Sequence, residues 1–146
     1  MDEEKRLELV KILEPFLDQH ECYEPDQFVP LIRFFDGNDD EGSIGCNLSP
    51  HPGIAKFYKI LQQLRSMDGV SGVWVIAKQH DWKPGWPHSD EIIINTSLTA
   101  ESVGKILAPL SADEIYEFSE PILNNDIEGS SLKQKEGEKQ LGAWWD

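Results

Sequence analysis

Residues 80–90 read His-Asp-Trp-Lys-Pro-Gly-Trp-Pro-His-Ser-Asp. His80, Asp81, His88 and Asp90 thus flank Trp82 and Trp86 within one short stretch. Imidazole and carboxylate together are the materials of a zinc or iron site, or of an acid–base pair. No strong metal motif places two histidines eight apart across a loop, as His80 and His88 are. The two rings approach each other only if the flanking segments pair in register. One reading is therefore a small metal-dependent or acid–base enzyme that uses this loop. In a second reading the tryptophans fold the loop onto a sheet, and the His and Asp side chains make loop hydrogen bonds. In a third, Trp82 and Trp86 beside a rigid Pro84-Gly85 pair offer a partner large contact area at low entropic cost, with His80 and His88 in the same surface.

A second polar stretch runs from Asp36 to Gly53. Asp36, Asn38 and Asp40 occupy positions 1, 3 and 5 of an EF-hand-type calcium loop. The match then fails, because Glu41 stands where glycine is required and Asn47 where a bidentate glutamate is required. A looser calcium or magnesium site on Asp36, Asn38, Asp39, Asp40 and Glu41 is the weaker alternative. Turn chemistry, in which Asp and Asn side chains bond nearby backbone groups, is the favoured one. An exposed acidic recognition loop is the third. Other catalytic patterns are absent: there is no Gly-x-Ser-x-Gly elbow, phosphate-binding Gly-x-x-x-x-Gly-Lys, dinucleotide fingerprint or Cys-x-x-Cys. Cys46 and His51 are close enough in sequence for a nucleophile pair, although an incidental thiol is the simpler reading. No cofactor is implied beyond that divalent-cation alternative.

Two runs rich in β-branched residues, Val70–Lys78 and Glu91–Ser97, bracket the His/Trp loop and predict an antiparallel hairpin. Pro84-Gly85 suits a type II turn at its tip. Leu7, Val10, Leu13 and Leu17 recur at helical spacing over residues 3–19, with a break expected at Pro15. Phe28–Phe35 reads as an edge strand, with a short helix from Pro30 as the alternative. Ile54, Phe57, Tyr58, Leu61 and Leu64 mark a helix over 52–67, and Thr99 caps another running to about Ala108. Residues 113–118 read as either helix or strand. The fold class is α+β: a small antiparallel sheet of three or four strands packed by helices, with an extra N-terminal helix. If 28–35 and 114–118 are both strands, the order is the split βαββαβ of ferredoxin-like folds. Residues 1–123 form the globular domain. Residues 124–146 read as a polar, flexible tail, whose terminal Trp144-Trp145 pair is costly to expose and is expected to dock, within the chain or on another subunit.

The chain has 146 residues and a net charge of −14. The charge is uneven: residues 1–43 hold 13 acids and 4 bases, whereas residues 44–97 hold 4 acids and 5 bases. Such a field repels phosphate backbones and argues against nucleic-acid binding. It favours a basic protein partner, or serves solubility alone. No apolar run suits a membrane span, the N-terminus lacks a signal-peptide pattern, and two cysteines fit a reducing compartment, so the expected location is cytoplasmic. In size and charge alone the chain resembles small bacterial interaction or inhibitor proteins, including toxin-neutralising immunity proteins. The leading expectation is thus a non-enzymatic binding module that engages a basic partner through its acidic third, with Trp82 and Trp86 as apolar anchors.

Overall fold

The computed structural model describes residues 1–146. Helix α1, Glu3–Leu13, starts where the Asp2 carboxylate accepts the Lys5 N–H. Glu3 and Glu4 suit the positive end of its dipole. It stops before Pro15, at the expected break, and a single 3-10 turn follows. Its buried residues are Arg6, Leu9 and Leu13, while Leu7 faces solvent at 52% exposure. The stripe is therefore rotated from the expected one and contains an arginine.

Strand β1, Cys22–Pro30, begins six residues before the expected strand at Phe28, in a stretch whose polar composition gives no strand signal, and helix α2, Leu31–Phe35, begins directly after Pro30. The two readings of 28–35 are each half right. Proline can end an edge strand without losing a needed donor and can open a helix for the same reason. Helix α3 is Ile54–Arg65, burying Ile54, Phe57, Ile60, Leu61 and Leu64. Strands β2, Val70–Gln79, and β3, Glu91–Thr96, pair antiparallel as expected, with Val73 opposite Ile94 and Val75 opposite Ile92. Helix α4 is Ala100–Leu107, with the Thr99 hydroxyl accepting the Ser102 N–H. Residues Glu114–Glu117 form strand β4, and Lys139–Trp144 form strand β5.

The sheet has five strands, in the order β1-β2-β3-β5-β4, and every pairing is antiparallel. Three or four strands is thus an undercount. The order also differs from the split βαββαβ arrangement, in which β1 would sit between β3 and β4; here β1 pairs with β2 at one edge and β4 lies at the other. The missing strand is β5, drawn from the segment read as a flexible tail. It lies inside the sheet between β3 and β4.

The sheet is covered on both faces. Val29, Val73, Val75, Ile92, Ile94, Leu141 and Ala143 face the helices and join Leu9, Leu13, Phe34, Phe57, Leu61 and Leu64 in the main core. Phe28, Ile76 and Ile93 face the other way and pack on Leu132. Leu132 belongs to a strap, residues 118–138, that crosses this second face. Buried Gln140 of β5 pins the strap, with its amide nitrogen donating to the Ile122 and Leu132 carbonyls, both at 2.9 Å, and its oxygen accepting the Ile122 N–H. No helix is long and apolar enough to cross a membrane.

Candidate functional site

The loop 80–90 is closed by a turn in which the Gly85 N–H donates to the Trp82 carbonyl at 2.9 Å. The turn therefore spans Trp82–Gly85, one residue earlier than the Pro84-Gly85 pair suggests. A side chain at Gly85 would meet the Trp82 ring at 2.4 Å and the Asp40 carboxylate at 2.8 Å. Glycine is what lets both approach the backbone here. The Gly85 carbonyl takes hydrogen bonds from His80 Nε2 at 3.0 Å and from Arg6 Nη1 at 3.3 Å. A carbonyl only accepts, so His80 carries its proton on Nε2. His80 is 2% exposed, and burial pushes its titration below the ordinary 6.5.

Three further contacts clamp the loop to the N-terminal third. Arg6 Nη1 donates to the Lys83 carbonyl at 2.8 Å, while its other nitrogens are held by Glu3. The Asp40 carboxylate accepts the Trp86 N–H at 3.1 Å through one oxygen and the Gly42 N–H at 2.9 Å through the other. Ser89 N–H donates to the Ser43 carbonyl at 2.7 Å. Trp86 is fully buried in the main core, whereas Trp82 stands 56% exposed at the tip.

The acidic loop is turn chemistry in its interior. Asn38 is buried, with its amide donating to the Phe34 carbonyl and to Ser43 Oγ and its oxygen accepting the Asp40 N–H. The carboxylates diverge: Asp36 pairs with Lys5 at 2.6 Å, Asp39 with the N-terminal ammonium at 2.8 Å, and Glu41 lies exposed 4.0 Å from His51. They do not surround a common point, and the structure assembles no group of three His, Cys, Asp or Glu side chains suited to a metal ion. The loose-cation reading of this loop has no geometry behind it.

Nor do His80, Asp81, His88 and Asp90 converge. His80 borders a cavity of about 150 Å3 with Tyr23, Leu17 and Glu14, and His88 and Asp90 border a separate one of about 210 Å3 with Cys46 and Trp145. Asp81 pairs with His88 at 3.3 Å, and Asp90 accepts the Trp144 indole N–H at 3.2 Å. The shared cavity that the enzyme reading requires is absent. The Cys46/His51 pair does not form either, because His51 Nε2 contacts the Ile44 carbonyl and Nδ1 accepts the Gly53 N–H. Both cysteines are free thiols.

Of the nine residues read as a binding surface, Asn38, His80 and Trp86 are buried and His88 is half-buried. Asp36, Asp39, Glu41 and Trp82 are exposed, and Asp40 lies between them as the bridge. Arg6 is the residue that sequence reasoning missed. Its only signal is its place between Glu3 and Leu9 on the buried stripe.

Residues 4–138 match the model of the family described as the Uncharacterized protein YfbO family. The chain belongs to this family. It is 31% identical over 127 residues to the Uncharacterized protein YfbO of Escherichia coli (strain K12), covering 84% of this chain and 86% of that protein. No solved structure matches it. The clamp residues Arg6, Asp40, His80 and Gly85 all lie within the span shared with the family.

Proposed function

We propose that this chain is an acidic protein-binding module of the inhibitor or immunity-like kind, engaging a basic partner in the cytoplasm. The observation that carries the reading is Trp82. A tryptophan left 56% exposed on a loop fixed by Arg6 and Asp40 is an apolar anchor on a rigid mount. Its mount is the acidic third of the chain, with Asp36, Asp39 and Glu41 exposed on the loop joined to it. Such an arrangement suits a partner that places an apolar or cationic side chain on the indole and Lys or Arg residues against the carboxylates. The same field disfavours nucleic acid. The acids at the sheet edges, Glu24 and Asp26 on β1 and Glu114 and Glu117 on β4, have a separate role, which is to deter edge-to-edge pairing.

Affinity capture on the immobilised chain tests this. At low salt the wild-type chain retains a basic protein that Trp82→Ala does not, and a triple Asp36→Asn, Asp39→Asn, Glu41→Gln chain retains less. Identical sets of captured proteins from all three chains would contradict the reading.

A further inference from the structure

A cavity of about 420 Å3 opens on the strap side of the molecule, and no residue of the Trp82 loop lines it. Its walls come from the end of α3, the start of β2, the junction of β1 with α2, and the strap at 126–135. In a chain of net charge −14, three cationic side chains line it: Arg65, Lys133 and Lys135. None of the three is in an ion pair.

The acids beside them are already committed. Asp126 accepts the Trp74 indole N–H at 3.0 Å through one oxygen, and the Glu128 and Ser130 N–H groups at 2.8 and 3.0 Å through the other. Glu128 pairs with Arg33 at 3.4 Å. The hydroxyls of Ser130 and Ser131 add donors to the cations, whereas that of Ser71 already donates to Glu138 at 2.7 Å. Ser131 Oγ accepts the Lys133 N–H, which leaves its own proton free to donate into the cavity. Asn95, 1% exposed, lies against the same space. Its Nδ2 donates to the Leu132 carbonyl, and its Oδ1 has no partner. An unpaired buried acceptor is costly and asks for a hydroxyl or amine donor. Trp74 supplies a flat wall with its N–H tied back by Asp126.

We infer that this cavity binds a small phosphorylated organic molecule. The phosphate takes Arg65, Lys133, Lys135 and the hydroxyls of Ser130 and Ser131, and a hydroxyl or amino group of the organic part faces Asn95. Several unpaired donors around one cavity suit a group with two charges and three terminal oxygens better than a single carboxylate. The volume lies in the range of small-molecule sites. The −14 charge of the whole chain turns away a long polyanion but not a small one that reaches a local cationic pocket. This site stands independently of the Trp82 surface.

The test is a titration of the isotope-labelled full chain by NMR at constant ionic strength, with glycerol 3-phosphate, inorganic phosphate and succinate as probes. Glycerol 3-phosphate is expected to shift the Trp74 indole and Asn95 side-chain signals saturably. Arg65→Gln, and separately Lys133→Gln with Lys135→Gln, should each weaken it about tenfold or more. Lys56→Gln with Lys59→Gln, on the outer face of α3, should leave it unchanged. Equal affinity for succinate overturns the phosphate assignment, and equal affinity for inorganic phosphate overturns the organic part. No saturable shift with any probe, or the same loss in the α3 control, overturns the site.

Discussion

The Gly85 carbonyl receives both His80 and Arg6, so the start of the loop and the distant helix α1 meet at one backbone oxygen. Arg6→Ala leaves that carbonyl short of a partner and frees the Lys83 carbonyl as well. The expected cost is about 2 kcal/mol by urea unfolding, together with a more mobile Trp82 by fluorescence anisotropy. A change inside measurement error would mean the clamp holds nothing. His80 supplies a pH signature. Its folded-state titration is lowered by burial, so the unfolded chain takes up a proton that the folded chain refuses. Stability from this group is complete above the ordinary value of 6.5 and is lost as pH falls from there through the folded value. The urea midpoint of the wild type should therefore fall between about pH 7.5 and 5.5 by more than that of His80→Gln, which keeps an N–H for the carbonyl. Equal slopes would show that His80 titrates as freely in the folded chain as in the unfolded one. His80 follows the reading in which the loop's His side chains make loop hydrogen bonds, whereas Arg6 does not announce its role in the sequence. Arg6 sits in a run of charges that reads as solvated, and only the path of the loop back to α1 buries it.

At the scale of elements, what local chemistry determines was legible and what cross-strand packing determines was not. The hairpin, the α3 stripe, the Thr99 cap and the break at Pro15 each follow from neighbouring residues, and each is where periodicity and capping place it. Strand β5 is Lys-Gln-Leu-Gly-Ala-Trp, a polar stretch with a mid-strand glycine. Gly142 is there because the Tyr116 ring of β4 lies across it, where a Cβ would come within 2.5 Å. Gln140 is polar because it binds the strap. Both features imitate a flexible tail until the partners are known. Trp145 fills the core at 1% exposure, with its indole N–H on the Leu110 carbonyl at 2.8 Å, so the terminal tryptophans dock within the chain. Trp145→Ala should cost about 3–5 kcal/mol. Deleting residues 143–146 should abolish the cooperative thermal transition; a shortened chain that stays folded would contradict the placement of β5.

For the whole molecule, the two loops flagged by composition prove to be one structure, joined by Asp40 and Ser43. That union was out of reach of the sequence, because it depends on contacts between segments about 45 residues apart and on nothing periodic. It also divides the candidate residues into a buried scaffold and an exposed face. Charge and apolar contact then have separable consequences for binding. Under the proposed function, steering by the acidic third sets the rate of association and the Trp82 contact sets the rate of dissociation. The decisive measurement is binding kinetics against ionic strength for the captured partner, with wild-type and Trp82→Ala chains side by side. The association rate should fall steeply with salt for both chains, and dissociation should be faster for Trp82→Ala at every salt concentration. An association rate indifferent to salt, with dissociation unchanged by the substitution, would contradict the account.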